Sequence, residues 1–241
     1  MSGHSEWANK KHRKEKSDAQ KAKYFTKIGR EISVAVKVGG SADPNLNTRL
    51  AAAIAKAKQY NMPNDNIARS IKNAAGLGDK NNYEEVTYEC YGPCGTAFIV
   101  QTLTDNKNRT AGDVRHIFEK SGGSMGTTNC VSFMFDRLGV IGVDLEGKSA
   151  SDLEDACIMI DGVQDFKSGD DEFVVYTEPS RVFDVAKQLE EQGYKVESSQ
   201  AEMVAQSLLE LDDEKIESFE KLLEKLDDND DIQEYYHNVK L

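Results

Sequence analysis

The sequence predicts an α+β fold: an N-terminal three-helix domain followed by two α/β domains of ferredoxin-like type, the third inserted into the second. Three observations lead there. Apolar residues recur at three- and four-residue steps from Ala22 to Ala74, the mark of one-sided helices. From Tyr83 the pattern becomes strand-like. Between Val140 and Glu202 the elements then follow a βαββαβ order. The expected divisions are residues 1–78 (basic arm and helical domain), 79–136 with 208–241 (central domain), and 137–207 (the insertion).

Residues 1–17 are polar, dense in cations and without a hydrophobic period, so they read as an extended arm. A helix starts at Ser17 or Asp18, buries Phe25, Ile28, Ile32, Ala35 and Val36, and ends at Gly39-Gly40. Leu50, Ala53, Ile54 and Ala57 mark a second helix that stops near Tyr60-Asn61. A third follows Met62-Pro63 with Asn64 as its cap and Ile67, Ile71 and Ala74 as its buried stripe. Strands at Glu85–Tyr91 and Thr96–Leu103 flank a Gly92-Pro93-Cys94-Gly95 turn. Thr110 and Asp113 read as a capping box for a helix through Val114 and Phe118, and Cys130–Phe135 reads as a strand. The inserted unit takes strands at Val140–Asp144, Val163–Phe166, Glu172–Thr177 and Lys195–Glu202, with helices at Ala150–Ile160 and Ser180–Glu191. An acid-led helix, Asp212–Leu226, and a strand, Ile232–Val239, then return to the central sheet.

Length, composition and charge narrow the function. The chain has 241 residues, 30% of them charged, and no run reaches the ~18 apolar residues of a membrane helix. The N-terminus lacks an apolar core of the secretory kind, and its Glu6, Glu15 and Asp18 argue against a mitochondrial presequence. Four scattered cysteines fit a reducing compartment, so a cytoplasmic location is expected. The net charge of −12 is unevenly spread. Residues 1–72 hold 15 Lys+Arg and 6 Asp+Glu, whereas residues 136–241 hold 10 and 29. Such a split suits a chain with one end built for a polyanion and another that repels it.

Enzyme signatures are missing. There is no phosphate loop, no dinucleotide fingerprint and no paired-histidine zinc motif, so neither a catalytic residue, nor a metal, nor a cofactor is expected. Asp105–Arg109 follows a strand and reads as helix-entry chemistry, with ligand or phosphate binding as the alternative. Asp227–Asp231 lacks the spacing of a calcium loop and reads as a solvated turn. Chemistry concentrates at the front. Lys10, Lys11, Arg13 and Lys14 make a cationic arm beside Trp7, whose indole can stack on an unpaired base. Lys23, Lys27 and Arg30 fall on the polar face of the first helix, and Arg49, Lys56, Lys58, Arg69 and Lys72 add charge from the next two.

These residues also carry a family likeness. Gly3-His4-Ser5, Trp7-Ala8-Asn9 and Lys11-His12-Arg13-Lys14 open the chain; Phe25-Thr26-Lys27, Arg30-Glu31-Ile32 and Met62-Pro63 with Asp65-Asn66-Ile67 follow. Tyr83-Glu84-Glu85, Tyr88-Glu89, Tyr91-Gly92-Pro93, Leu103-Thr104-Asp105-Asn106, Asn108-Arg109-Thr110 and Val131–Phe135 complete the set. In this order they resemble the YebC family. Glu6 stands where that family commonly has Lys, and Cys94 where it commonly has Gly. The resemblance implies three domains, no cofactor and no catalytic residue. It implies two functions: DNA-binding transcriptional regulation, and a translation-factor role on ribosomes stalled at proline-rich stretches, a mitochondrial relative activating translation of a cytochrome oxidase subunit.

An extended arm suits threading between RNA strands better than reading a duplex, which usually needs a recognition helix and a two-fold dimer. The expected partner is therefore the ribosome or structured RNA, with DNA as the alternative and no membrane. The nested layout is open to test. Deleting Leu138–Ser207 and bridging the gap with a short Gly/Ser linker should leave a remainder that melts cooperatively by circular dichroism. Loss of all cooperative melting would count against the insertion.

Overall fold

The computed structural model describes residues 18–76, 83–169 and 172–240. The chain forms two compact units. One runs to Val131 and includes Asp212–Tyr235; the other comprises Ser132–Leu211 and Tyr236–Leu241.

The first unit begins with three helices, α1 (Asp18–Gly39), α2 (Thr48–Gln59) and α3 (Asn64–Ala75). Their one-sided pattern makes a small core of Ile28, Ile32, Ala35, Leu50, Ala53, Ala57, Met62 and Ile67, with Tyr24 stacked on Tyr60 at 5.0 Å. Asn47 caps α2 by accepting from the Leu50 amide, and its amide group donates to the Ala35 and Ser41 carbonyls. Any side chain on Gly39 would strike Asn47, and Gly40 turns at φ +66°, so the glycine pair both ends α1 and clears room for the next cap. Asn64 is not a cap: Pro63 holds that position without a side-chain bond, and Asn64 is already helical.

A sheet in the order β3-β1-β2-β9 follows, from β1 (Glu84–Tyr91), β2 (Ala97–Thr104), β3 (Ser124–Met125) and β9 (Ile232–His237). Strands β1 and β2 pair antiparallel from Glu84↔Thr104 to Tyr91↔Ala97. Helices α4 (Lys107–Glu119) and α7 (Asp213–Asp228) supply the aromatic core. Phe98 of β2 meets Phe118 edge-on at 5.3 Å and Phe219 at 5.5 Å, and all three are fully buried. Burying each such ring contributes roughly 1.5–3 kcal/mol. The cap of α4 is Asn106, which accepts from the Arg109 amide, and Thr110 lies inside the helix with its hydroxyl engaged elsewhere. The expected strand at Cys130–Phe135 is absent as well. The Glu89 carboxylate accepts from the Asn129 and Val131 amides at 2.7 and 2.8 Å and pulls the chain round, and Ser132–Met134 forms a short 3-10 turn.

In the second unit β4 (Phe135–Asp144), α5 (Ala150–Met159), β5 (Val163–Ser168), β6 (Glu172–Thr177), α6 (Val182–Glu191) and β7 (Lys195–Ala205) build an antiparallel sheet in the order β5-β6-β4-β7. That is the ferredoxin-like arrangement. Leu153 and Cys157 of α5 and Val182, Val185 and Leu189 of α6 pack on Ile141, Val143, Phe173 and Val175 of the sheet. Strand β8 (Leu209–Glu210) pairs in parallel with β10 (Val239–Lys240).

The turn between β1 and β2 holds a local strain. Cys94 sits at φ 61°, ψ 23°, the left-handed region that a side chain disfavours, and its side chain is exposed. Replacing Cys94 with Gly should therefore raise stability by about 1 kcal/mol, and a urea melt of the variant checks it. An unchanged or lower midpoint would mean the turn is not strained there.

Candidate nucleic-acid interface

The cationic arm residues Trp7, Lys10, Lys11, Arg13 and Lys14 lie outside the described residues. The helical part of the expected site is described, and its cations are not on an open face. Lys23 meets Asp228 at 2.6 Å with about 41% of its side chain exposed. Lys27 is buried, and its amine donates to the Asp227 carbonyl at 3.1 Å. Arg30 donates to the Asp230 carbonyl at 2.7 Å and to Asp231 Oδ1 at 2.8 Å, with its guanidinium over the Tyr83 ring at 5.5 Å. The periodicity that put these three on the polar side of α1 is correct. What it could not reveal is that the turn Asp227–Asp231 faces them.

That turn is not simply solvated. Asp231 is buried, and its carboxylate gathers four donors: Arg30, Arg109 at 2.7 Å, and the Thr110 and Thr104 hydroxyls at 2.8 and 3.4 Å. Its own carbonyl accepts from the Leu103 amide at 2.8 Å, which fixes the start of β9 against β2. Burial pushes the Asp231 carboxyl up, but the hydrogen bonds from Arg109 and Thr110, the Arg109 charge and the Arg30 bond outweigh it. They hold the group below its ordinary 3.8. The Asp105–Arg109 segment and the acidic turn, read separately in the sequence, are thus one assembly. Arg109 also reaches Asp105 at 2.9 Å. Around them lies a cleft of about 560 Å3, bordered by Lys23, Arg30, Tyr83, Asp113 and Asp230 among others.

Two more cations are committed internally. Lys56 bridges Glu31 at 2.9 Å and Glu234 at 2.7 Å. Burial works against its charge, yet the two carboxylates hold its pKa well above the ordinary value. Arg49 pairs with Glu85. In contrast, Lys58, Arg69 and Lys72 of α2 and α3 are exposed, with no ion pair among the described residues. These three are open to an outside anion.

Cys90, Cys130 and Cys157 are poorly suited to nucleophilic work. Burial raises Cys90 to about 12 and Cys157 to about 11, and it raises Cys130 too, so none of these three is a thiolate at neutral pH. Among the described residues no group of three or more His, Cys, Asp and Glu is placed to hold a metal ion, and no helix is long and apolar enough to cross a membrane.

Comparison with known proteins places the chain. The family model described as the TACO1/YebC N-terminal domain matches residues 5–77, and that for the second and third domains matches residues 83–239. The chain belongs to the TACO1/YebC family. It is 53% identical over 240 residues to a protein of Acetivibrio thermocellus, covering 99% of this chain and 98% of the relative. It is 50% identical over 242 residues to one of Thermoanaerobacter pseudethanolicus, covering 100% and 98%. Both relatives bear the name "probable transcriptional regulatory protein". The crystal structure of the conserved hypothetical protein Aq1575 from Aquifex aeolicus matches the fold with a TM-score of 0.82 at 39% identity, over 93% of this chain and 92% of that one. The TACO1/YebC fold is therefore shared over nearly the whole chain.

The buried carboxylate gives a test. Asp231→Asn removes the buried anion that Arg30 and Arg109 share and should cost about 3 kcal/mol near neutral pH. Because the folded Asp231 titrates below its ordinary value, its contribution is complete above the ordinary carboxylate range. It fades as pH falls through the lowered value. The gap between wild type and variant in urea melts should thus narrow only below about pH 4. A gap already closed at pH 6 would refute the assignment.

Proposed function

We propose that this chain is a nucleic-acid-binding regulator of gene expression that acts as a ribosome- or RNA-associated translation factor, relieving stalling at proline-rich stretches. The observation that carries the reading is the separation of charge. The front holds 15 Lys+Arg against 6 Asp+Glu, and the half from residue 136 holds 10 against 29. A polyanion is attracted to one end and repelled by the other.

The proposed contacts are the arm, with Lys10, Lys11, Arg13 and Lys14 on phosphates and Trp7 stacked on a base, extended by the open cations Lys58, Arg69 and Lys72. Lys23, half open, adds a phosphate contact by exchanging Asp228 for it. Lys27 and Arg30 serve the same surface by fixing α1 in place. The family likeness supplies the finer role at stalled ribosomes. A DNA-binding transcriptional regulator is the second reading, and the names of the relatives favour it. Against it, Lys27 and Arg30 on the polar side of α1, the longest helix among the described residues, are engaged by the Asp227 carbonyl and by Asp231 and are not free for a groove.

Salt titration separates these readings. Each cation that neutralises a phosphate adds roughly 0.7–0.9 to the log–log salt slope. Gln at Lys10, Lys11, Arg13 and Lys14 should flatten the slope of ribosome or RNA binding by roughly 3 with stability unchanged. Gln at Lys58, Arg69 and Lys72 should flatten it by roughly 2, and Gln at Lys187 and Lys225 should do nothing. Equal slopes for all variants would remove the site, and sequence-dependent preference for duplex DNA would promote the second reading.

A further inference from the structure

The acidic unit carries an apolar surface that its own fold leaves uncovered. At the end of α5 the run Cys157-Ile158-Met159-Ile160, the last of these its cap residue, places four apolar residues in succession, more than one helix face can bury. Cys157 and Ile160 turn inward, whereas Ile158 is 69% and Met159 84% exposed. In α6 Val182 and Val185 are buried, whereas Phe183 is 51% exposed. These exposed residues share one end of the helical layer. Arg181 donates to the Asp161 carboxylate at 3.1 Å and to its carbonyl at 3.3 Å. Met159 lies two residues before Asp161, and Phe183 two residues after Arg181. Single exposed apolar residues are ordinary, but Ile158 and Met159 at the end of α5 and Phe183 at the start of α6 stand on helix ends that the Arg181–Asp161 pair joins, and large exposed apolar residues on adjoining ends suit an interaction surface.

Charge decides what the surface fits. Asp155, Asp161 and Asp184 lie beside these residues in sequence, all exposed, and the two cations of α6 and its cap are already paired, Arg181 with Asp161 and Asp184 and Lys187 with Glu191. The segment 132–211 as a whole holds 18 Asp+Glu and 6 Lys+Arg. A nucleic acid, an anionic membrane and a second copy of this acidic unit would each bring like charge to it. A cationic partner with an apolar side would not.

We propose that Ile158, Met159 and Phe183 form a docking surface for a basic amphipathic helix of another protein, its aliphatic side chains covering the three residues and its Lys or Arg residues facing Asp155, Asp161 and Asp184. This mode is the familiar helix laid on an apolar face with charges at the rim. It is independent of the nucleic-acid reading, since it concerns a different unit and needs no nucleic acid.

The test uses the full-length protein and a fluorescein-labelled 14-residue leucine–lysine peptide that forms an amphipathic helix, followed by fluorescence anisotropy. Saturable one-to-one binding is expected. Replacing Ile158, Met159 and Phe183 together with Ser should weaken it about tenfold. Met159→Ser alone, at the most exposed of the three positions, should weaken it measurably with an unchanged melting temperature. Asn at Asp155 and Asp184 should flatten its salt dependence. A serine–lysine peptide of equal charge should bind far more weakly. The proposal fails if the leucine–lysine peptide does not bind, if the serine variants bind it as wild type does, or if the serine–lysine peptide binds equally well. It fails also if sedimentation shows wild type, but not the triple variant, self-associating, which would make the surface an interface between copies.

Discussion

A single buried carboxylate holds the N-terminal unit together. Asp231 collects Arg30 from α1, Arg109 and Thr110 from α4, and Thr104 from the end of β2, while its backbone anchors β9. A buried charge is costly unless it is paired and hydrogen-bonded, and here every approach to it is taken by a donor. The arrangement is specific more than it is strong. Arginine presents a rigid fork, so the angle of α1 against the sheet is set by where two guanidiniums can meet one carboxylate. The Lys56 bridge to Glu31 and Glu234 repeats the device a few residues further along β9.

This use of charge changes what the basic front means. Summed over residues it looks like a uniform polyanion-binding surface, but several of its cations are spent on holding helices to a strand. Lys27, Arg30, Lys56 and Arg49 all face carboxylates or carbonyls of their own unit. The same residue type therefore plays two parts in one short segment, distinguished by exposure. Lys58, Arg69 and Lys72 keep their charge for the outside, since no carboxylate among the described residues pairs with them.

Much of the fold was legible in the sequence, because its elements are specified locally. The stripe Ile28–Ile32–Ala35 gives α1, the acids Asp213 and Glu214 after the Asp212 cap give α7, and the βαββαβ order from Val140 gives the second sheet. What misled was chemistry whose purpose lies far along the chain. Thr110 has the spacing of a cap, yet its hydroxyl serves Asp231, and Asn106 does the capping. Val131–Phe135 has strand composition, but the Glu89 carboxylate claims two amides beside it and bends the chain away. The acid-rich turn looks solvated residue by residue; only Asp231, next to the buried Ile232, could have hinted otherwise. For the candidate interface, a helical wheel gives the polar side of α1 correctly but cannot say what stands opposite it.

The place of Asp231 in the chain also bears on how the protein is made. Its partners Arg30 and Arg109 emerge from the ribosome 201 and 122 residues earlier. Until the last stretch is synthesised, β2 lacks its neighbour β9 and shows a bare edge, and two guanidiniums that will later sit against a buried anion remain unneutralised. Sheet edges left open are sites of mispairing, and contacts this distant in sequence form slowly. The four-stranded sheet of the second unit lies wholly within residues 135–205, so its ladder is available sooner. Completion thus runs in reverse of synthesis: the segment made first is finished last, and a chain that stops a dozen residues short would be left with its oldest part unclosed.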